Sequence, residues 1–230
     1  MHPFTLTPLL PSPFVLLMIL SPLCLQGPDA GALLDHLSTA AVDANVEPGT
    51  ITYTQWLNHG GTLEADLTVT KLPRNHKGVD DEFLVVATDS AHRHVESRMQ
   101  RFIRGLGDDP ATQGKRFAAS VCDVSSGLAQ LNLQGPDSRR ILAAATATGS
   151  HNSSLFTGTD VSDEAFPFRA CRELSIGFAP VLVSRITYVG ELGYELFVDA
   201  AQVRSVCIKK YCNVFRIFYH FMSLLLSLHV

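Results

Sequence analysis

The chain has 230 residues, of which 46% are hydrophobic and 17% charged, so its composition favours a globular protein of one large or two small domains over a disordered one. A formal net charge of −4 provides no basic surface for binding nucleic acid, which favours small-molecule or protein partners. The scattered cysteines include no C-x-x-C pair and fit a reducing compartment better than a zinc site or a disulfide framework: Cys24, Cys122, Cys171, Cys207 and Cys212.

Residues 1–24 form an apolar extension punctuated by prolines. The run from Phe14 to Leu20 has the character of a signal-peptide core, but no Lys or Arg precedes it and no A-x-A cleavage site follows it. It also lacks the Arg-rich amphipathic character of a mitochondrial transit peptide. We interpret this extension as either a signal or an artefact of the gene model, with the folded domain starting at residue 25.

The five residues Leu-Gln-Gly-Pro-Asp occur twice, at 25–29 and at 133–137. The glycine allows a positive φ and the proline presets the first helical φ, so each copy predicts a turn that leads from a strand into a helix. The apolar residues that follow have helical spacing: Leu33, Leu34 and Leu37 in the first copy, and Ile141, Leu142 and Ala145 in the second. Two such units this far apart predict an internally duplicated α+β domain.

The segment LEADLTVTKL, between the two copies, predicts a strand with alternating faces. Leu63, Ala65, Leu67 and Val69 would face the core, and Glu64, Asp66, Thr68 and Thr70 would be available for chemistry. Next, EFLVVATD predicts a buried strand. SAHRHVESRMQRFIRGL then predicts an amphipathic helix that turns inward Val95, Met99, Phe102 and Ile103.

The chain returns to strand before the second copy, and residues 149–159 after that copy read as a small polar loop-like insertion. PVLVSRITYVGELGYELFVDA predicts two strands joined by a hairpin-like turn at 189–193, where two glycines allow a backbone or a ligand to come close. Residues 204–230 form an apolar tail whose final stretch is slightly shorter than the roughly 20 residues that a membrane span needs. A tail anchor is therefore disfavoured.

Four blocks occur in a fixed order: LQGPDA, YTQWLN-HGG-x-x-x-x-DLTV, LNLQGP and R-x-x-YVGELGYEL. Together with DEAFPF at 163–168, they resemble the glycine-cleavage T-protein (aminomethyltransferase) superfamily, and within it the folate-binding half of dimethylglycine and sarcosine dehydrogenases. The resemblance implies an internally duplicated α+β folate-binding domain with antiparallel sheets over residues 25–203. The domain is expected to be incomplete, because the chain ends before the family's C-terminal barrel, and 204–230 is expected to lie outside the family.

The resemblance also implies a cofactor, tetrahydrofolate, and residues that would hold it. Glu191 would accept hydrogen bonds from the donors along the pterin edge, and Asp66 would lie near the nitrogens that take up a one-carbon unit. Tyr53 and Tyr188 would line the folate pocket. Arg185 would pair with Glu191, hold a pocket carboxylate, or be a plain surface residue.

The chain departs from the T-protein pattern at the reacting carboxylate. T-proteins carry an Asp-Asp pair where this chain has Ala65-Asp66, and the dehydrogenase branch resembles the chain more closely. Asp66 is thus the only carboxylate at this pair, with Glu64 as a substitute on the same strand face. The histidines lack metal-ligand spacing, so no metal site is expected.

No G-x-G-x-x-G follows a predicted strand, so no FAD site is expected in this chain. The resemblance implies, as the first functional hypothesis, a tetrahydrofolate-binding one-carbon transferase domain, active or inactive as a fragment. It would accept the one-carbon unit from an N-methyl amino acid such as dimethylglycine or sarcosine, or from an aminomethyl donor. The alternative is a non-catalytic regulatory or assembly module that binds a flavoprotein. A third hypothesis is that the gene model is in error at both termini and at the insertion 149–159. A mitochondrial or cytoplasmic location is favoured over a membrane.

Overall fold

The computed structural model describes residues 14–16, 20–43, 46–73, 82–112, 114–146 and 159–208. Most of the apolar extension, the insertion at 149–159 except Thr159, and the tail beyond residue 208 lie outside the described residues. In chain order the elements are β1 (Phe14–Leu16), β2 (Leu20–Gln26), α1 (Ala30–Leu37), β3 (Ile51–Leu57), β4 (Leu63–Lys71), β5 (Glu82–Thr88), α2 (Asp89–Ile103), a 3-10 turn (Pro110–Thr112), β6 (Ser120–Asp123), β7 (Leu128–Gln134), α3 (Ser138–Thr146), β8 (Cys171–Ile176), β9 (Ala179–Ser184), β10 (Gly193–Asp199) and α4 (Val203–Ile208).

The described strands form two five-stranded antiparallel sheets with one shared connectivity. Sheet A has the order β1-β7-β10-β9-β8 and sheet B the order β6-β2-β5-β4-β3. In each sheet the strand that leads into a QGPD turn lies next to the third strand after the helix, and the short outer strand comes from the other half of the chain. The predicted α+β class with antiparallel sheets is confirmed. The predicted domain start at residue 25 falls inside β2.

Both QGPD turns have the conformation that their sequence predicts. Gly27 and Gly135 have φ angles of +134° and +114°, values that disfavour any side chain. In each turn the amide three residues after the glycine donates to the glycine carbonyl at 3.0 Å, from Ala30 and from Ser138. The strand–turn–helix predicted at each copy is therefore confirmed.

The buried apolar residues form three clusters. One core lies between sheet B and the helices α1 and α2, and it includes Trp56, Phe83 and Met99. A second core lies between sheet A and α3 and includes Phe166 and Tyr194. A smaller third cluster joins the facing surfaces of the two sheets: Leu72, Leu84, Val86 and Phe197. The face of sheet B that points away from α1 and α2 therefore packs in part against sheet A, around Leu84 and Val86.

The predicted alternation of β4 is confirmed at its centre and fails at its start. Ala65, Leu67 and Val69 are buried, whereas Leu63 is 57% exposed. The pairing of β3 with β4 shifts register between Trp56 and Leu57 and leaves Glu64 as an extra residue, which is a β-bulge. The bulge reorients the first two side chains of the strand.

The other elements follow the sequence closely. Strand β5 is buried along most of its length, and α2 buries Val95, Met99 and Phe102 while Ile103 is only partly buried. Strands β9 and β10 are antiparallel neighbours, as the hairpin predicts. The connection between them spans residues 185–192, which is longer than the predicted turn at 189–193.

Candidate functional site

A cavity of about 540 Å³ lies between the two sheets. Sheet B contributes the side chains of Tyr53, Asp66 and Thr68, while β10 contributes Glu195 and the β9–β10 connection contributes Tyr188. Its volume is within the range of about 300–1,000 Å³ that is typical of small-molecule sites. A larger depression of about 760 Å³ beside α3 is lined in part by Arg139 and Asp163, which pair with each other.

Tyr53 and Asp66, both predicted site residues, lie in direct contact. They project from the same face of neighbouring strands with an offset of two residues, because Tyr53 pairs with Thr68 and Asp66 pairs with Gln55. The Tyr53 hydroxyl donates to Oδ2 of Asp66 at 2.9 Å. This hydrogen bond is the main cause that raises the pKa of Tyr53. Asp66 is therefore held in a fixed orientation at the cavity wall.

Glu195 is the cavity carboxylate that the sequence analysis missed. It lies in β10, directly opposite Asn132 of β7 and Ser184 of β9, and it is only 6% exposed. Burial raises the pKa of its carboxyl to about 7. The sequence did contain a signal for this site, a single carboxylate in the otherwise apolar stretch GYELFV. Strand alternation turns the Glu195 side chain away from the core that Tyr194 and Leu196 enter.

Asn132 lies beside Glu195 on the neighbouring strand β7 and is a second buried polar residue. It is 1% exposed, and neither its amide nitrogen nor its amide oxygen has a hydrogen-bond partner among the described residues. A buried amide without partners costs about 1–3 kcal/mol. Its position next to Glu195 makes it available to a ligand group or an ordered water that reaches between the sheets.

Exposed aromatic side chains surround the cavity. Tyr53 is 52% exposed, Phe168 59% and Tyr188 72%, and all three line the cavity. Such rings offer flat faces for a planar ligand. The neighbouring Arg169 has a φ of +67° and donates from Nε to the carbonyl of Ile51 at 2.9 Å, which ties the segment before β8 to the start of β3.

Glu191 and Arg185 lie outside the residues that line this cavity. Glu191 is exposed in the β9–β10 connection, where its Oε1 accepts a hydrogen bond from the amide of Leu192 at 2.8 Å. The Arg185 guanidinium donates to the Phe166 carbonyl at 2.5 Å and to the Asp163 carboxylate. Its side chain is 11% exposed, so Arg185 is neither a plain surface residue nor the partner of Glu191.

Asp163 is shared between two arginines. The Arg139 guanidinium donates to it at 3.0 and 2.6 Å, and Arg185 binds the same carboxylate. Arg139 first and Arg185 second hold the pKa of Asp163 below its usual range. This cluster fastens the segment before β8 to α3 and to the start of the β9–β10 connection, from which Tyr188 reaches the cavity.

Glu64, expected as a substitute for a second reacting carboxylate, faces α2 instead. It lies 2.6 Å from Nε2 of His94 and 3.6 Å from Nη1 of Arg98, and it accepts from Asn58 at 3.1 Å. The β-bulge at this position turns the side chain away from Asp66. The expectation that Glu64 shares a face with Asp66 is therefore wrong.

The described ranges contain no group of three or more His, Cys, Asp or Glu side chains that could hold a metal ion. Among the helices in those same ranges, none has the length and apolar character needed to span a membrane.

The GCVT N-terminal domain family matches residues 19–209, and the chain belongs to this family. The glycine cleavage system aminomethyltransferase T from Bartonella henselae has a similar fold, with a TM-score of 0.63 at 19% identity over 89% of this chain and 46% of that one. The resemblance inferred from the four sequence blocks is thereby confirmed.

Two longer proteins are similar in sequence. The 4-methylaminobutanoate oxidase (formaldehyde-forming) of Paenarthrobacter nicotinovorans is 32% identical, over 84% of this chain and 20% of its own length. The mitochondrial sarcosine dehydrogenase of Homo sapiens is 30% identical, over 77% of this chain and 18% of its own length. The chain thus spans about a fifth of these relatives.

Proposed function

We propose that the chain binds tetrahydrofolate in the cavity between the sheets and acts as a one-carbon acceptor domain of the aminomethyltransferase type. The observation that carries this proposal is the convergence of Asp66, oriented by Tyr53, and the buried Glu195 on one aromatic-rimmed cavity. Membership of the GCVT N-terminal domain family supports it.

The residues of the cavity suit this cofactor. The pterin ring is planar and carries N–H and amino donors along one edge, and the cavity offers aromatic faces together with two carboxylate acceptors. The amide of Asn132, which has no hydrogen-bond partner among the described residues, adds a donor and an acceptor beside Glu195. Tetrahydrofolate, when bound, supplies the nitrogen that accepts the one-carbon unit.

Glu195 and Asp66 are proposed to have different roles at the cavity. We assign the pterin-edge contact to Glu195, because it is buried in the cavity wall while Glu191 lies on the exposed connection. Asp66 would stabilise positive charge that develops near it, and its hydrogen bond with Tyr53 fixes the direction of its lone pairs. Tyr188 would cover the ring. Arg185 would act indirectly, by holding the base of the connection that carries Tyr188.

The donor of the one-carbon unit is proposed to be a small N-methyl amino acid, and its oxidation to take place on a flavoprotein. Two relatives are named as an oxidase and a dehydrogenase, and the region they share with this chain is about a fifth of each.

The shared connectivity of the two sheets further supports an origin by internal duplication.

Calorimetric titration of the full chain with tetrahydrofolate tests this proposal. We expect micromolar binding that weakens at least tenfold in Glu195→Gln and remains within twofold in Glu191→Gln. Glu47→Gln, a change at another exposed glutamate, serves as the matched control. Loss of binding in Glu191→Gln alone would return the pterin contact to Glu191. Absence of binding by a folded chain would favour a folate-independent module that associates with a flavoprotein.

A further inference from the structure

Two cysteines lie directly opposite each other on neighbouring strands of sheet B. The antiparallel register of β2 and β6 pairs Cys24 with Cys122. Because directly opposite residues of an antiparallel pair point to the same face of a sheet, both thiols lie on one side. The adjacent Leu23 and Leu25 enter the core beneath α1 and α2, so the thiols face the other way.

The backbone places the two residues within reach of a disulfide. The Val124 amide donates to the Pro22 carbonyl at 3.2 Å, so Pro22 and Val124 are opposite each other as a hydrogen-bonded pair. This pair lies two residues along each strand from Cys24 and Cys122. Alternation then makes Cys24 and Cys122 a hydrogen-bonded pair too, with Cα atoms about 5.5 Å apart. Disulfides span Cα distances of roughly 4.4–6.8 Å.

The Cβ atoms need a small further approach. Opposite Cβ atoms in such a pair are about 5.5 Å apart, whereas a disulfide needs roughly 3.5–4.5 Å. Strand β6 is only four residues long and lies at the edge of sheet B, where β2 is its one neighbour among the described strands, so a small shift of β6 disturbs a single pairing. A bond closed by this movement departs from relaxed geometry, which makes it easier to reduce.

Solvent access distinguishes this pair from the other described thiol on a strand. Cys122 is exposed and Cys24 is half-buried, while Cys171 is buried. Burial raises the pKa of Cys171 to about 12, so its reactive thiolate is scarce. Cys24 Sγ also lies 3.2 Å from Oε1 of Glu82, an acceptor for its proton. Cys171 is therefore an internal reference for an inert thiol.

We propose that Cys24 and Cys122 are a redox-modification site, at which a hydroperoxide closes a reversible disulfide between β2 and β6. The Cys122 thiol releases its proton to solvent, and the thiolate attacks the terminal peroxide oxygen. An S–O bond forms as the O–O bond breaks, which leaves a sulfenic acid, and the departing alkoxide takes up a proton to become an alcohol (water, for hydrogen peroxide). The sulfur of Cys24 then attacks the resulting sulfenic acid, the S–O bond breaks, and water leaves with the second thiol proton. The net reaction consumes two thiols and one hydroperoxide and yields one disulfide, one alcohol and one water.

Peptide mapping of the oxidised full chain tests the site directly. The reduced protein is treated with hydrogen peroxide, and unreacted thiols are blocked before digestion without reductant. We expect a peptide that links Cys24 to Cys122, a mass loss of about 2 Da in the intact chain, and full reversal by dithiothreitol. Cys171 is expected to remain a blocked thiol throughout.

Single substitutions separate the roles of the two thiols. In Cys24→Ser, the exposed Cys122 loses the thiol that lies opposite it on β2 and is expected to gain oxygen. Cys171→Ser should leave the linked peptide unchanged. The proposal is overturned if wild-type Cys122 gains oxygen without forming the link, or if the link joins Cys122 to Cys207 or Cys212. The wild-type map needs no variant, so a folding defect cannot hide either result.

Discussion

The hydroxyl of Tyr53 lies 2.9 Å from Oδ2 of Asp66, across two neighbouring strands of one sheet. Both side chains stand at a cavity wall that faces the second sheet, where Glu195 is buried. The contact therefore joins a predicted aromatic residue and a predicted carboxylate into one unit that a ligand between the sheets would meet.

Removing the carboxylate charge should release the Tyr53 hydroxyl. In Asp66→Asn, we expect the pKa of Tyr53 to fall towards its ordinary value, because the hydrogen bond to Asp66 is the main cause of its elevation. An ultraviolet titration of tyrosinate, with Tyr53→Phe subtracted to isolate this residue, measures the change. An unchanged Tyr53 titration would show that the contact does not persist in solution.

The same unit should contribute to folate binding. Tyr53→Phe keeps the ring but leaves Asp66 without its donor, so tetrahydrofolate affinity should fall about three- to tenfold, the effect of one modest hydrogen bond. Tyr188→Phe is the matched control, because its hydroxyl has no assigned role here. Equal losses in both variants would argue against a specific part for the contact with Asp66.

Glu195 should make stability depend on pH. Its folded pKa of about 7 lies above the ordinary 4.5, so the folded state binds the proton more tightly than the unfolded state. This contribution is complete below about pH 4.5 and is lost as pH rises through 7, by up to about 3 kcal/mol. Glu195→Gln should remove the decline, so the variant should gain stability over the wild type at pH 8 and not at pH 4. Urea unfolding of both proteins at the two pH values measures this, and parallel declines would contradict the assignment.

Asn132 should be a site where stability and binding oppose each other. Asn132→Leu removes two buried polar atoms that have no partner in the described part of the chain, so the ligand-free chain should be stabilised by about 1 kcal/mol. If the amide contacts the ligand, the same change should weaken tetrahydrofolate binding. Thermal unfolding and calorimetry on one preparation compare the two effects. Destabilisation of the ligand-free variant would indicate that ordered water already satisfies the amide.

The first QGPD turn should not tolerate a side chain at its glycine. A Cβ at Gly27 would lie 2.5 Å from the Ala118 carbonyl oxygen and 2.7 Å from Cα of Ala119, and the φ of +134° is itself unfavourable. Gly27→Ala is therefore expected to lower the free energy of unfolding by more than about 2 kcal/mol. Gly177→Ala is the matched control, since its φ is +67° but no atom lies within 4 Å of the added Cβ. Similar losses in both variants would leave backbone strain as the whole cause.

Substitution of Arg185 should affect the stability of the fold more strongly than the affinity for tetrahydrofolate. Arg185→Gln leaves Asp163 with Arg139 alone and removes the donor to Phe166, so the unfolding midpoint should fall. Tetrahydrofolate affinity should fall only as far as the β9–β10 connection loosens. A large loss of affinity with unchanged stability would instead favour direct contact between Arg185 and the ligand.

Much of the local structure could be predicted from the residues themselves. The glycine and proline of each QGPD turn fix backbone angles within a few residues, and the alternation in β4 and the periodicity in α2 follow from which side chains are apolar. The β-bulge at Glu64 was not predictable in this way, because the shift depends on how β3 pairs with β4.

The sequence by itself determined the strand–turn–helix units, the antiparallel α+β class and the family, since these depend on short-range spacing and on ordered blocks of residues. Only the tertiary structure decided which carboxylate lies in the cavity. Glu191 and Glu195 are four residues apart in one motif, yet the strand pairing of β10 buries Glu195 against the facing sheet and the wide connection leaves Glu191 in solvent. Burial of this kind comes from the packing of distant strands, which no local pattern of residues specifies.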